Sequence, residues 1–333
     1  MSKRFLAYGF FLIMATASIA AAQTFGPADA VDRTSSGAIN WTTSEVYATG
    51  IGAPPLRPAN AAQARAMAER AAFVVALRNL LETVKGVRVD AESIVENFMT
   101  KSDVIRTKVD GIVKGARVVK TQYLSDGSVE VLVALSMKGE FLNALVPETF
   151  GKFNGLLTPV KPAPQSLVPP RPPSAPVPAV PLVPEPERPV PQTEKKTVSA
   201  QPEPSKPVPE VPSQATVVFK GGVATGMVID GRGLGLRPAL LPRIIDLQGQ
   251  ELYVGQVVPR TNAVEQGVAG YARDVQAAAN NFRVTDNPAV IRAVRASGNA
   301  RTDVVLNQAD AQAFRELGNN ADFLKYCRLI IVY

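Results

Sequence analysis

Proline is concentrated in one segment of the 333-residue chain. Of the 28 prolines, 19 lie between Pro159 and Pro212. Because proline fixes φ and lacks an amide donor, such a segment cannot form a helix or a central strand. It favours polyproline II, in which these residues would span about 170 Å at about 3.1 Å per residue. We therefore predict a disordered linker over residues 154–214, which joins two folded domains at residues 23–153 and 215–333.

The first 22 residues have the composition of a secretory signal. Two basic residues at the start precede an apolar run over residues 5–19, and three alanines end at Ala22. This pattern predicts cleavage between Ala22 and Gln23, and therefore an exported protein of the periplasm or outer membrane of a Gram-negative bacterium. The apolar run is also near the shortest length of a membrane-spanning helix, so a retained anchor is the alternative. No cysteine follows the run, and lipidation is not expected.

Residue usage excludes several classes of enzyme. Histidine is absent, and Cys327 is the only cysteine in the chain. The chain therefore has no Ser-His-Asp or Cys-His site, no internal disulfide and no Cys/His metal site, and we expect no catalytic residue, cofactor or metal. The net charge is +7, and two of the positive charges belong to the signal segment. No stripe of basic and aromatic residues suggests a nucleic-acid partner. We expect Cys327 to be buried and inert.

The segment before the proline block has the pattern of a sheet packed with helices, an α+β fold. Asp126-Gly127 between alternating hydrophobic residues is the strongest hairpin signal in the chain. Asn60 is expected to cap a long alanine-rich helix that ends at Gly86 in left-handed geometry and lies close to the sheet. The other expected elements are strands over 37–49 and 87–89, a helix from 90 to 98, hairpin arms 112–124 and 128–136, and a helix over 139–145.

A diffuse pattern of residues in this domain carries a family resemblance. It consists of Ala71-Ala72, Asn79-Leu80-Leu81, Val84-Lys85-Gly86-Val87-Arg88-Val89, Ser102-Asp103-Val104-Ile105-Arg106-Thr107, Gly111, Gly115-Ala116-Arg117-Val118-Val119, Tyr123, Asp126-Gly127, Val129 and Val131. Over residues 37–145 the chain resembles the twenty-kilodalton bacterial surface-lipoprotein family, which is similar to the N-terminal domain of the flagellar assembly protein T. The resemblance implies a small α+β domain of secreted or outer-membrane-associated proteins, usually without an enzymatic role. The lipobox cysteine of the lipoprotein members is missing here.

The segment after the proline block predicts a second domain of strands and helices. The glycines at 231, 233 and 235 lack the spacing of a dinucleotide fingerprint, and Pro238 interrupts the helix that would receive a phosphate, so we expect a glycine-rich turn. The other expected elements are strands over 216–219 and 225–230, a hairpin of 242–246 with 251–257, helices over 262–280 and 288–296, and a final strand-helix-strand unit of 303–306, 310–317 and 327–332 with parallel pairing. Residues 224–239 resemble a module often found downstream of the same lipoprotein-like domain.

Two groups of side chains are candidates for chemistry. Asp230, Asp246 and Asp303 lie at predicted strand ends and could converge as a metal site or a glycosidase carboxylate set, although aspartates there also form turns and cap helices. Arg232 and Arg237 flank the glycine-rich turn. They could bind an anionic group such as a wall carboxylate or a lipid phosphate, or remain solvated surface residues.

Two classes of function remain open at this stage. The first is a non-catalytic exported envelope protein, an assembly, scaffold or binding factor associated with the outer membrane, the cell wall or the flagellar basal body. Its partners would be envelope proteins, flagellar or outer-membrane components among them, close to peptidoglycan. The alternative is a carboxylate-dependent hydrolase that acts on cell-wall polymer through the C-terminal domain. A module that binds a peptide or an anion lies between the two.

Overall fold

A computed structural model of the protein describes residues 25–150, 216–218, 220–253, 257–320 and 322–333. The predicted signal segment and the predicted linker lie outside these residues. The N-terminal part (25–150) and the C-terminal part (216–333) both combine helices with sheets, which confirms the predicted α+β fold class. None of the described helices is both long and apolar enough to cross a membrane.

The N-terminal part is built on a five-stranded antiparallel sheet with the order β1-β2-β3-β5-β4. The predicted hairpin is confirmed, because β5 pairs with β4 across the Asp126-Gly127 turn and buries Val129, Val131 and Val133. The elements are strands β1 Val31–Arg33, β2 Ala38–Asn40, β3 Glu45–Gly52, β4 Arg117–Tyr123 and β5 Val129–Ser136, and helices α1 Ala61–Lys85, α2 Val95–Lys101, α3 Asp103–Lys114 and α4 Glu140–Leu145.

Helix α1 lies unusually close to the sheet. The residues that it buries include Ala68, Ala72 and Ala76, and β3 places Gly50 opposite them. A Cβ on Gly50 would come within 2.2 Å of the Ala72 carbonyl oxygen, so the backbones touch where neither element carries bulk. The predicted cap is confirmed, because the Asn60 side chain accepts the N–H of Gln63. The prediction of a left-handed end was wrong, because Gly86 has φ −78° and closes the helix in right-handed geometry.

The region between α1 and the hairpin differs from the prediction. The expected strand over 87–89 is a single bridge between Arg88 and Ile94, and the expected helix from 90 begins only at Val95. Helix α3 was not predicted, and it occupies the first residues of the expected hairpin arm 112–124, so β4 begins at Arg117. The Ser102 side chain accepts the N–H of Ile105, which starts α3 immediately after α2.

The C-terminal part contains two four-stranded sheets. One is parallel with the order β10-β6-β13-β9, and the other is mixed with the order β11-β12-β7-β8. The elements are strands β6 Gly226–Asp230, β7 Ile244–Ile245, β8 Glu251–Tyr253, β9 Gly270–Ala272, β10 Pro288–Arg292, β11 Arg295–Ser297, β12 Asp303–Val305 and β13 Leu329–Val332, and helices α5 Arg260–Gln266, α6 Val275–Ala279 and α7 Gln308–Asn320, with a 3₁₀ turn over Asp322–Leu324.

Both helices predicted between residues 262 and 296 were wrong. Residues 262–280 divide into α5, β9 and α6, because Gly267 turns to φ +75° and residues 268–272 are buried on both faces, as strands of a covered parallel sheet are. Residues 288–296 form β10 and the start of β11, with Ala289 and Ile291 buried. The predicted β7–β8 hairpin is present in shorter form. The strands of the predicted final unit, β12 and β13, lie in different sheets, and β13 pairs instead with β6 and β9.

The N-terminal and C-terminal parts pack against each other within one compact unit. Backbone N–H groups of Leu240 and Leu241 donate to the carbonyls of Arg88 and Val89, at 3.0 and 2.7 Å. The Ala300 N–H donates across the same contact to Ala91. One cluster of buried hydrophobic residues runs through both parts. The two regions on either side of the proline-rich segment therefore share a core.

Candidate binding site

The candidate carboxylate at the end of β6 is held by an arginine. Asp230 accepts from Arg232 Nε at 2.8 Å and Nη2 at 2.9 Å, and from the Arg232 backbone N–H at 3.2 Å. These bonds lower the pKa of the Asp230 carboxyl, so the group is a stable carboxylate rather than a proton donor. Arg232 was one of the two arginines considered for anion binding, and its guanidinium is paired with Asp230.

The other two candidate carboxylates also have structural partners. Asp303 is 1% exposed and accepts from Arg243, whose Nε lies 3.0 Å from Asp303 Oδ2. Asp246 closes the β7–β8 turn by accepting the N–H groups of Gln248 at 3.0 Å and Gln250 at 2.8 Å, and it also accepts from Arg315 at 2.9 Å. Turn formation and ion pairing account for both side chains.

The three carboxylates do not converge. Asp230 belongs to the parallel sheet, whereas Asp246 and Asp303 belong to the mixed sheet. The register of β12 with β7 places Asp303 about three residues, or roughly 10 Å, from the level of Asp246. No cluster of three or more potential metal-ligating side chains occurs among the described residues. The geometry therefore gives no support to the carboxylate set that the hydrolase alternative requires.

Arg237 is the second candidate for anion binding. Arg237 is exposed, and its backbone N–H donates to the Arg301 carbonyl at 2.9 Å. Anion binding by Arg237 stays a prediction.

Cys327 is buried, as expected, and burial raises the pKa of its thiol to about 11, which keeps the thiol protonated and unreactive at neutral pH.

An open groove with a volume of about 1120 Å³ lies on the N-terminal part. It runs between α3, α4 and the edge of the sheet, and Leu135, Phe141 and Ala116 form its buried apolar floor. Gly111 faces the groove from α3, and a Cβ there would meet no atom within 4 Å. Sequence reasoning missed this groove because α3 was not predicted, although Gly111 inside a helical pattern was a signal for it.

Charged groups line the rim of the groove. Glu45 accepts from Arg117 at 2.8 Å and from the Tyr47 hydroxyl, and burial with this neighbouring carboxylate raises the pKa of Tyr47 to about 12. Lys108 and Lys138 add positive charge. Burial, together with repulsion from Arg283, lowers the pKa of Lys138. An apolar floor within a charged rim is an arrangement that protein–protein interfaces also have.

A smaller cavity of about 400 Å³, which we name the seam pocket, lies where the two parts meet. Its lining includes Thr42 and Lys138 from the N-terminal part and Asn262, Tyr271, Arg283 and Arg328 from the C-terminal part. The Thr42 hydroxyl donates to the Tyr271 carbonyl at 3.0 Å, which fixes the two parts on either side of the pocket. The pocket is more polar and more enclosed than the groove.

Comparison with known proteins gives two matches, one in each part. Residues 41–136 match the family model described as LPP20 lipoprotein, which confirms the resemblance to the twenty-kilodalton surface-lipoprotein family. Residues 226–333 match the model described as Treponema pallidum Tp0624, second domain. Each match covers about a third of the chain. No curated protein matches the sequence.

Proposed function

We propose that the protein is an exported, non-catalytic envelope factor that binds a segment of another envelope protein in the groove between α3 and α4. The groove carries this proposal. Its volume of about 1120 Å³ slightly exceeds the ~300–1,000 Å³ typical of small-molecule sites, and it is open along one side. The open side leaves room for a segment of another chain, and the apolar floor would receive its apolar side chains.

The similarity to the LPP20 lipoprotein model supports an envelope location for this binding. The predicted signal segment supports export to the periplasm with cleavage after Ala22. In this proposal the protein assembles with outer-membrane components, and the flagellar basal body is the most specific location that the resemblance suggests. The Pro-rich segment would serve as a spacer within the same chain.

The groove is tested by filling it. Gly111→Trp adds an indole on the groove side of α3, at a position where no atom lies within 4 Å of the added Cβ. Lys114→Trp is the matched control, since Lys114 is exposed on the same helix but does not line the groove. We expect the wild type and the control to sediment with the outer-membrane or wall fraction, and the Gly111→Trp protein to be released.

Two results would contradict the proposal. In one, the Gly111→Trp protein stays in the envelope fraction like the wild type. In the other, all three proteins are recovered as free periplasmic monomers. The hydrolase alternative is separated by zymography on purified cell wall with the triple variant in which Asp230, Asp246 and Asp303 are alanine. If the wild type clears the cell-wall substrate and the triple variant does not, the hydrolase alternative is favoured.

A further inference from the structure

The seam pocket gathers positive charge from both parts of the molecule. Lys138 enters it from the segment between β5 and α4, which is fixed on either side because the Met137 N–H donates to Ser44 and the Gly139 N–H donates to Val264, both at 2.8 Å. Arg283 and Arg328 enter it from the C-terminal part. The pocket exists only because the two parts dock, so its ligand would bind to the assembled molecule.

These three cations have no ion-pair partner among the described residues. Arg283 instead donates to backbone carbonyls, with Nε 2.7 Å from the Cys327 oxygen, Nη1 2.9 Å from the Gln266 oxygen and Nη2 close to the Gly267 oxygen. An arginine has five N–H donors, so two remain. The described contacts give the side-chain N–H groups of Lys138 and Arg328 no hydrogen-bond acceptor. The Arg328 guanidinium lies 5.9 Å from the centroid of the Tyr326 ring.

A partly buried cluster of three cations with one carboxylate in the same lining is unfavourable. Burial penalises charge, and like charges in one cavity repel. The effect is visible at Lys138, whose pKa is lowered first by burial and then by Arg283. Glu265 is the one acidic residue that lines the pocket, which leaves a formal charge of +2 on the lining groups. A bound dianion would balance that charge.

Two aromatic rings stand at the same pocket. Phe282 is 88% exposed and Tyr326 is 58% exposed, although large apolar rings are ordinarily covered. Their faces can pack on a flat or ring-shaped ligand. Asn262 and Asn281 line the same cavity. Asn262 Nδ2 donates to the Lys325 carbonyl and Asn281 Oδ1 accepts the Arg283 N–H, which leaves Asn262 Oδ1 and Asn281 Nδ2 for hydroxyl groups. The lining thus combines a dianion site with surfaces for a polar ring.

We propose that the seam pocket binds a phosphomonoester carried on a sugar, with the phosphate held by Lys138, Arg283 and Arg328 and the ring against Phe282 and Tyr326. A phosphomonoester carries a charge of about −1.5 to −2 at neutral pH, which matches the formal charge of the lining. The same chemistry occurs in a soluble sugar phosphate and in a phosphorylated lipid headgroup. The pocket and the groove of the proposed function are two cavities that share Lys138 in their linings.

The test is titration calorimetry of the full chain without its signal segment. The probes are glucose 6-phosphate, glucose and phosphatidylcholine vesicles that contain lipid A, in which phosphomonoesters are carried on glucosamine. Lys138→Gln and Arg328→Gln each remove one charge-assisted contact and are expected to weaken glucose 6-phosphate binding about tenfold or more. Arg237→Gln is the matched control, because Arg237 is exposed and does not line the pocket. Gly111→Trp should bind like the wild type.

The outcomes separate the alternatives. If glucose 6-phosphate binds and Lys138→Gln and Arg328→Gln weaken that binding, the proposal is supported with a soluble ligand. If the vesicles bind and the same variants lose that binding, the proposal is supported with a membrane ligand. Equal binding of glucose, loss in Arg237→Gln alone, or no binding to any probe would overturn it. If Gly111→Trp also loses its envelope association while binding glucose 6-phosphate normally, both proposals stand separately.

Discussion

Single residues decide how closely the helix and sheet of the N-terminal part approach. At Gly50 a Cβ would lie 2.2 Å from both the Ala72 oxygen and the Ala76 nitrogen, and neither atom belongs to a flexible side chain. Gly50→Ala therefore forces α1 away from β3, and overpacking of this kind costs about 3 kcal/mol. We expect urea unfolding to show a loss of that size.

Gly111→Ala is the matched control for Gly50→Ala. Gly111 lies inside α3, where a Cβ meets nothing within 4 Å. Alanine is favoured over glycine in a helix by about 1 kcal/mol, so this variant should be more stable than the wild type. Equal stability of the two alanine variants would show that the close approach of α1 to β3 is not a constraint on the fold.

Lys138 makes a pH-dependent contribution of known sign. Its pKa is lower in the folded chain than in the unfolded chain, where it lies near 10.4. The folded state thus releases this proton first, and the wild type should gain stability relative to Lys138→Met as pH rises through the folded pKa towards about 10.4. Below that window, at pH 7, Lys138→Met should be the more stable protein. Thermal unfolding of both proteins from pH 7 to pH 11 measures the difference, and a constant difference would contradict the shift.

At the scale of elements, glycine geometry explains one of the wrong predictions. Gly267 adopts φ +75° and ends α5, which lets the following residues become β9. With ψ 146° this conformation is essentially restricted to glycine and costs another residue about 1–3 kcal/mol, so Gly267→Ala should lower the free energy of unfolding by that amount. Gly86→Ala is the control, because Gly86 closes α1 at φ −78° with no contact nearer than 3.5 Å. It should be neutral or slightly stabilising in the same urea titration.

The elements that the sequence predicted well are those with strong local signals. The alternation around Asp126-Gly127 and the Asn60 cap depend on neighbours in sequence, so both were predicted correctly. The run 268–272 was assigned to a helix because a strand buried on both faces has no alternation to distinguish it. Its partner Leu329–Val332 lies about sixty residues further along the chain, and only that pairing makes it a strand.

The candidate site followed the same rule. The carboxylates were recognised as strand-end residues, but their arginine partners could not be assigned. The pair Arg243 and Asp303 is separated by sixty residues, and Arg315 and Asp246 by sixty-nine. The groove depends on α3, whose Ser102 cap follows directly after another short helix. The seam pocket depends on contact between regions that a long proline-rich segment separates in sequence, and no local pattern encodes such contact.

At the scale of the whole molecule, the contact between the two parts centres on a few side chains. Arg88 donates from Nε to the Pro238 carbonyl at 2.7 Å, pairs with Asp32, and lies 5.6 Å from the centroid of the Trp41 ring. Trp41 in turn packs edge-on against Tyr271, with centroids 5.7 Å apart. Trp41 lies at the start of the LPP20-like match and Tyr271 lies inside the Tp0624-like match. The two matched regions therefore form a joint structure rather than independent modules.

This contact predicts that the two parts remain together after the chain is cut. A protease site introduced at Arg171, within the proline-rich segment, allows cleavage outside the described residues. We expect the two fragments to elute as one species in size-exclusion chromatography, because shared backbone hydrogen bonds and a common core hold them.

Arg88→Ala removes the hydrogen bond, the ion pair and the ring contact together, and it should release the fragments at concentrations where the wild type stays associated. Arg78→Ala, an exposed arginine on α1, is the matched control and should behave like the wild type. Separate elution of the wild-type fragments would show that the covalent connection, and not the shared core, keeps the two parts together.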